Sequence, residues 1–408
     1  MNEMPLPPGT RLLHIGPHKT GTTALQIALG KNRDALLGQG VRYVWGGEHL
    51  NANLAALAVA GRPTRRFASA KPVPMEHWTS LVAKVKAAKE LERVVISGEE
   101  FCSVSETTIL KIVQDLSRDR LQIVVTLRPL AKVIVSQWQQ FVQAGSVTTP
   151  LAEWVDAVLC RDESVARVKG FWERHDHAAL ISRWSKFVGS QNMTVIVLDE
   201  SDRGHLFRSF ESLLGLSKGV LVADDRLVNR SLSWEEAESI RAMYVLLQEK
   251  NLGALSDHVR FMISPSELVK RERTPLVSEA KIAIPAELLE RVRENSLEMA
   301  KAIGDSGVRI IGSVGDLVPS YGSANSENTT SLVQVPTDLA GWTAYGVIVS
   351  SGIARGDLPP APTSTLPFAW LRRATGSQLM REVVRRVRIR LSRPFSRLTG
   401  RSDEKAER

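Results

Sequence analysis

The chain has 408 residues, of which 43% are hydrophobic and 24% charged, and its net charge is +9. This length suffices for one large α/β domain or two smaller ones, and no apolar run approaches the ~20 residues of a membrane span. The two cysteines, Cys102 and Cys160, supply neither a disulfide framework nor the spacing of a metal site. Because residues 1–9 are polar and proline-rich and do not resemble a signal peptide, we expect a protein of the reducing cytoplasm.

As far as about residue 220, short apolar runs rich in β-branched residues alternate with helical patterns. The predicted strands are Arg11–Ile15, Val94–Ser97, Leu121–Leu127 and Thr194–Leu198. The predicted helices are Thr22–Leu37, Glu76–Glu90, Glu106–Leu116, Leu130–Gln143 and Ala178–Val188. This alternation predicts a parallel sheet covered by helices, with its ligand site at the carboxyl ends of the strands.

Beyond residue 220 the pattern becomes mainly helical. Ser233 and Glu236 have the spacing of a capping box, which predicts a helix that runs to about Lys250. Pro285 is well placed to open another helix, over Ala286–Ile303. We therefore divide the chain into an α/β domain over residues 1–318, a linker and irregular region over 319–370, and a basic tail over 371–408.

The most informative segment is 14–23, which reads His-Ile-Gly-Pro-His-Lys-Thr-Gly-Thr-Thr between the first predicted strand and helix. Gly16 and Gly21 have the spacing of a P-loop, where backbone N–H groups and the helix dipole bind phosphate. A P-loop for ATP or GTP has its lysine directly after the second glycine. Here Thr22 takes that position and Lys19 lies inside the loop, so the lysine would face the far end of the bound group.

A second anion grip is predicted at the end of the strand Leu121–Leu127. Arg128 follows that strand, and Ser136 comes eight residues later in the next predicted helix. A guanidinium group binds phosphate oxygens in a bidentate, charge-assisted way, and a serine hydroxyl adds a donor without charge. By itself the pair is more simply explained as an arginine at an exposed strand end and a serine on a helix face. Together with the glycine loop it resembles the sulfotransferases, in which an arginine at a strand end and a serine eight residues later bind the 3′-phosphate of the nucleotide.

These segments resemble the sulfotransferases that use 3′-phosphoadenosine 5′-phosphosulfate (PAPS), in the bacterial type with a His-Lys-Thr-Gly-Thr-Thr loop. The resemblance covers roughly residues 11–305. Its further marks are Ser97-Gly98-Glu99, the stretch Ala179–Gly189, and Asn229-Arg230-Ser231-Leu232-Ser233. It implies a P-loop-type parallel sheet flanked by helices, followed by a helical C-terminal part and the basic tail.

The resemblance also implies a role for each residue of the two grips. Lys19 would contact the bridging oxygen between phosphate and sulfuryl group, where charge develops as the S–O bond breaks. The residues that bind the donor nucleotide would be Gly16, Lys19, Thr20, Gly21, Thr22, Thr23, Arg128 and Ser136. The scheme requires no metal ion.

The general base is predicted among the polar residues that follow the strand Val94–Ser97. Glu99 is the first choice, because a desolvated carboxylate beside the donor would have its pKa raised into the working range. Glu100 and His18 are rivals, as is His14, which is more simply explained as a strand residue packed under the sheet. The alternative, that both glutamates form a solvated turn or cap a helix, remains open.

The predicted function is sulfuryl transfer from PAPS to a hydroxyl or amine of a carbohydrate, glycolipid or small metabolite. The alternative is a P-loop kinase or nucleotide hydrolase with a degenerate Walker A loop. Asp199, which follows a predicted strand, would then hold Mg²⁺, but Thr22 in the lysine position argues against it. A binding protein without catalytic activity is a third possibility, but the presence of Lys19 in the loop argues against it.

The C-terminal tail carries most of the excess charge. Residues 331–408 contain thirteen Lys or Arg against six Asp or Glu, and residues 378–397 contain seven arginines and one glutamate. One apolar stripe at helical spacing runs along this segment and consists of Met380, Val383, Val384, Val387 and Leu391. This pattern predicts a helix lying on the inner face of the membrane. A docked helix or a solvated tail are the alternatives, and no motif favours nucleic acid.

Overall fold

The computed structural model describes residues 5–45, 51–64, 71–222, 230–250, 265–319 and 335–350. Its strands are β1 Arg11–His14, β2 Val41–Val44, β3 Arg93–Ser97, β4 Leu121–Leu127, β5 Met193–Val197 and β6 Arg309–Ile311. They form one all-parallel sheet in the order β2-β3-β1-β4-β5-β6. The predicted α/β fold with a parallel sheet flanked by helices is therefore confirmed.

The described α-helices are numbered in the order in which they follow along the chain. They are α1 Thr22–Lys31, α2 Arg33–Gly38, α3 Asn53–Val59, α4 Glu76–Lys86, α5 Glu106–Asp115, α6 Leu130–Gln143, α7 Leu151–Leu159, α8 Val168–His175, α9 His177–Val188, α10 His205–Leu214, α11 Trp234–Glu249, α12 Pro265–Glu272, α13 Leu289–Gly304 and α14 Thr337–Ser350. The chain divides into two compact units, and the sheet belongs to the first.

Two apolar cores cover the two faces of the sheet, because successive strand residues point to opposite sides. Leu12 packs on one face with residues of α1, α2 and α10. Leu13, its neighbour, packs on the other face with residues of α3, α4, α5 and α9. Every residue of β5 is buried, as is typical of a strand covered on both faces.

The predicted strands agree with β1, β3, β4 and β5 to within one residue at each end. The predicted helix Thr22–Leu37 is instead divided at Asn32 into α1 and α2. The predicted helix at Ala286 begins with a 3₁₀ turn before α13. The short outer strands β2 and β6 were not predicted, because three or four residues carry too little periodicity to identify a strand.

The second unit contains α11, α12 and α14 among its described residues. The predicted capping box is present, since Ser233 and Glu236 each bond the other's backbone N–H at the start of α11. The buried guanidinium of Arg273 donates to Glu236 at 2.9 Å and to Asp338 at 2.9 Å, and it also bonds Glu279. One guanidinium thus joins three carboxylates, of which Glu236 and Glu279 are buried and Asp338 is half exposed.

Helix α14 lies inside the region 319–370 that the sequence predicted to be a linker and irregular. Its residues include Leu339, Trp342 and Ala344, and the side chains of Leu339 and Ala344 are buried. Burial of this apolar segment explains why it is helical rather than irregular. The predicted basic tail 371–408 lies outside the described residues.

Candidate functional site

The glycine loop joins β1 to α1 at the carboxyl edge of the sheet. Gly16 and Gly21 both have a φ of 81°, and Lys19 has a φ of 68°, so three positions of the loop are left-handed. Gly21 is the N-cap residue of α1, and no side chain among the described residues caps that helix end. The first-turn N–H groups and the positive end of the helix dipole therefore lie at this end of the loop without a side-chain cap from the described residues. Binding of an anion there stays a prediction.

His14 ties the end of β1 to both neighbouring strands. Its Nδ1 lies 2.9 Å from Ser97 Oγ on β3, and its Nε2 lies 3.1 Å from Thr126 Oγ1 on β4. Burial lowers the pKa of His14 to about 3, against an opposing effect of the Glu99 charge. The ring is therefore neutral and enclosed, which confirms that His14 packs as a strand residue and removes it as a rival base.

The Thr20 side chain connects the glycine loop to β4. Its hydroxyl donates to the carbonyl of Pro17 at 2.6 Å and lies 2.7 Å from Thr126 Oγ1. The Thr20 side chain is fully buried. Because its hydroxyl proton is committed to the loop's own backbone, a bound phosphate would meet Thr20 through the backbone N–H rather than the side chain.

His18 and Glu99 form the central pair of the site. His18 Nδ1 lies 3.3 Å from Glu99 Oε1, and Thr22 donates its hydroxyl to Glu99 Oε2 at 2.7 Å. Burial alone would raise the pKa of Glu99, but the charge and hydrogen bond of His18, the Thr22 hydroxyl and the Lys19 charge outweigh it and lower that pKa to about 2. The predicted upward shift of the Glu99 pKa is therefore wrong.

Glu100 lies on the other side of the same imidazole. His18 Nε2 lies 3.7 Å from Glu100 Oε1. Neither His18 Nε2 nor Glu100 Oε2 has a hydrogen-bond partner among the described residues, although both atoms are buried. Both glutamates belong to a 3₁₀ helix, Glu99–Ser103, so they do not form the solvated turn that the sequence allowed. The site thus has buried polar atoms still to be satisfied.

Arg128, the cation of the second predicted grip, is paired with a carboxylate of its own chain. Arg128 follows β4 directly, and its Nε and Nη2 donate to the two carboxylate oxygens of Glu200 at 2.6 and 2.8 Å. Ser136 lies in α6 and is partly buried. Since β1 and β4 are adjacent parallel strands, the glycine loop and Arg128 lie at the same edge of the sheet.

Asp199, the Mg²⁺ ligand of the kinase alternative, is used in a local turn. Its Oδ1 accepts the backbone N–H of Ser201 at 2.8 Å and the Ser201 hydroxyl at 2.6 Å. It also follows β5, which is separated from β1 by β4. Among the described residues, no group of three or more His, Cys, Asp or Glu is arranged to hold a metal ion.

Sequence reasoning missed a buried polar pair next to the loop. His175 at the end of α8 is fully buried, and its Nε2 lies 3.0 Å from Gln137 Nε2 on α6. Burial lowers the pKa of His175 well below its usual value, and the charges of His177, His18 and Lys19 lower it further. The only sequence signal was the unexplained spacing of His175 and His177.

Trp138 and Phe141, two aromatic residues of α6, are buried in the core, and Trp138 donates to the carbonyl of Thr149 at 3.1 Å. Arg230 donates to the neighbouring carbonyl of Ser231 at 3.1 Å. Asn229 lies outside the described residues.

Comparisons with known proteins extend this description. None of the described helices is both long and apolar enough to cross a bilayer. The sequence matches no family model and no curated protein. Among solved structures, the chain is similar to a sulfotransferase from Alicyclobacillus acidocaldarius, with 14% sequence identity and a TM-score of 0.36, over 62% of this chain and 94% of that one.

Proposed function

We propose that this protein is a PAPS-dependent sulfotransferase that transfers a sulfuryl group to a hydroxyl or amine of a carbohydrate, glycolipid or small metabolite. The observation that carries the proposal is the pairing of two anion grips at one sheet edge. Lys19 lies inside the glycine loop after β1, and Arg128 follows the adjacent strand β4. A nucleotide with a 3′-phosphate and a 5′-phosphosulfate is the ligand that uses both grips.

The residues present suit that donor. The uncapped start of α1 offers backbone N–H groups to the 5′-phosphate, together with Gly21, Thr22 and Thr23. Lys19 would neutralise charge on the bridging oxygen as it develops, which stabilises the transition state more than the ground state. The acceptor's O–S bond forms while the S–O bond to phosphate breaks, and 3′-phosphoadenosine 5′-phosphate (PAP) leaves.

In our proposal His18 removes the acceptor proton and Glu99 positions His18. The Nδ1 side of the imidazole faces Glu99. The buried Nε2 lies 3.7 Å from Glu100 Oε1 but has no hydrogen-bond partner among the described residues, so it is the nitrogen that we assign to the acceptor hydroxyl. Glu99, the first choice from the sequence, is here the alternative base. However, a carboxylate whose pKa is held at about 2 is a weak proton acceptor at neutral pH.

The kinase alternative receives less support, because Asp199 binds within its own turn and Thr22 donates to Glu99. A thermal-shift comparison of PAP, ADP and ATP–Mg²⁺ separates the two functions without knowledge of the acceptor. We expect PAP to raise the melting temperature most, since it alone reaches Arg128 and Ser136 with a 3′-phosphate. A larger shift with ATP–Mg²⁺ would favour the kinase or hydrolase.

We also propose that the protein works in the cytoplasm, in peripheral contact with the membrane through residues 378–397, so that its acceptor is lipid-linked. The support is the basic amphipathic pattern of that segment. Co-sedimentation with anionic liposomes tests it. The full chain should pellet and a chain truncated near Pro367 should not, while both should still bind PAP. Equal pelleting of the two would rule out the anchor.

A further inference from the structure

The guanidinium of Arg128 is held by a carboxylate of its own chain. Arg128 Nε and Nη2 donate to Glu200 Oε1 and Oε2 at 2.6 and 2.8 Å, a side-on bidentate pair. The side chains are 28% and 39% exposed, so both groups reach solvent. Glu200 therefore presents two oxygens to the arginine in the way that a phosphate group would.

A guanidinium group has only five N–H donors, and its two-donor edge binds one fork-shaped anion at a time. While Glu200 occupies the Nε–Nη2 edge, the charge of Arg128 is also neutralised. A 3′-phosphate that approaches this arginine meets a bound carboxylate of the same sign. Entry of the phosphate is thus an exchange of anions rather than simple addition.

We infer that Glu200 is an internal competitor for the 3′-phosphate, which weakens the binding of 3′-phosphorylated nucleotides and speeds the release of PAP. This inference rests on the proposed function, because it takes Arg128 as the 3′-phosphate grip. In the opposite reading, Glu200 orients Arg128 for phosphate. The two readings predict opposite signs for the effect of removing the Glu200 charge.

The position of Glu200 suits a group that moves aside. It follows Asp199, whose carboxylate fixes the turn by accepting two bonds from Ser201. The turn is therefore held by Asp199 without the Glu200 side chain. Because Glu200 is partly exposed, its carboxylate is hydrated once it leaves Arg128, and no buried charge remains unpaired.

The test is the dissociation constant for PAP and for ADP in the full chain and in Glu200→Gln, with the dissociation rate of PAP measured in parallel. We expect Glu200→Gln to bind PAP about twofold to fivefold more tightly, which is the factor that an exposed ion pair contributes. PAP should also dissociate more slowly, and ADP affinity should stay unchanged.

Asp202→Asn is the matched control. It removes one negative charge two residues away, where Asp202 pairs with Arg208 rather than Arg128. A general loss of negative charge would change PAP binding equally in both variants, whereas competition changes it only in Glu200→Gln. In an Arg128→Ala background, Glu200→Gln should have no further effect on PAP.

The outcomes separate the two proposals. If the unmodified protein binds PAP no better than ADP, the proposed function fails. If it prefers PAP but Glu200→Gln binds PAP equally or more weakly, the proposed function stands and the competitor role is overturned. Melting temperatures of all variants identify any that do not fold, and Glu200→Asp, which keeps the charge, should then stay close to the unmodified protein.

Discussion

His18 Nδ1 lies 3.3 Å from Glu99 Oε1 and its Nε2 lies 3.7 Å from Glu100 Oε1, so the imidazole lies between two carboxylates. The Glu99 carboxylate holds the histidine in one orientation. The same carboxylate accepts the Thr22 hydroxyl, which ties the pair to the first turn of α1. The His18–Glu99 pair is therefore fixed relative to the glycine loop.

If His18 is the base, His18→Gln should lower kcat by about 10²–10⁴ with PAP affinity intact. Glu99→Gln should lower kcat less, because it removes the support of the base and not the base itself, and Glu99→Asp should restore part of the loss. The measurement is PAP formation from PAPS across a panel of hydroxyl acceptors. A larger loss in Glu99→Gln than in His18→Gln would make Glu99 the base.

Lys19→Ala should lower the rate of PAP formation by about 10²–10³ while changing PAP affinity little, because its proposed partner is the oxygen of the breaking bond. Lys111→Ala removes the same charge from an exposed pair with Asp115 on α5 and serves as the control. A Lys19→Ala protein that turns over normally would contradict the proposed role.

Arg128→Ala should weaken PAP binding about tenfold to a hundredfold, the usual loss for a charge-assisted contact to phosphate. Ser136→Ala should weaken it less, because a neutral donor contributes less than a charged one. Both variants should bind ADP as before, since ADP has no 3′-phosphate. Isothermal titration measures the four constants, and a parallel loss of ADP affinity would refute the assignment.

Gly21→Ala should destabilise the protein by at least about 1–2 kcal/mol, since a non-glycine residue pays that much in the left-handed region. Gly21 has a φ of 81°, and an added Cβ would lie 2.8 Å from Leu206 Cδ2. Gly38→Ala is the matched control, because an added Cβ there meets nothing within 4 Å. Urea unfolding compares the two, and equal stabilities would contradict the strain.

Stability should fall as the pH falls below about 6.5. Burial lowers the pKa of His14 to about 3 and that of His177 to about 4, against the opposing charges of Glu99 and Asp176. Between these values and about 6.5 the unfolded chain binds a proton that the folded chain does not, so each histidine costs about 2 kcal/mol at pH 5.

Urea unfolding at about pH 7 and about pH 5 measures this loss, with far-ultraviolet circular dichroism to verify the fold. His177→Gln, which cannot take up a proton, should reduce the difference in unfolding free energy between the two pH values by about 2 kcal/mol. An unchanged difference would mean that His177 does not resist protonation in the folded protein.

The two anion grips, at Lys19 and Arg128, stay predictions. The sequence was sufficient to predict the parallel sheet that carries them, because buried strands are local patterns. It could not predict the partners of those residues. Arg128 and Glu200 are 72 positions apart, and the pair of His175 with Gln137 joins two helices. The pKa of Glu99 was predicted in the wrong direction because burial was visible from the pattern, whereas the contacts with His18 and Thr22 were not.

The hydroxyl of Thr126 has consequences for the proton positions at the base of the loop. The Thr20 hydroxyl donates to the carbonyl of Pro17. The Thr126 hydroxyl therefore donates to Thr20 Oγ1 or to the carbonyl of Gly16. His14 Nε2 can then only donate to Thr126, which assigns the Nε2–H tautomer to this neutral ring.

The opposite nitrogen of His14 must accordingly accept the hydroxyl proton of Ser97, which in turn accepts Gln26 Nε2 at 3.1 Å. Each group in this series therefore donates to the next one, from Gln26 on α1 through β3, β1 and β4 to the glycine loop. A chain with a single direction polarises each bond in it. Thr126→Val would remove the hydroxyl at the centre of this series of hydrogen bonds. We expect the glycine loop to become less rigid, although the substitution changes no charge.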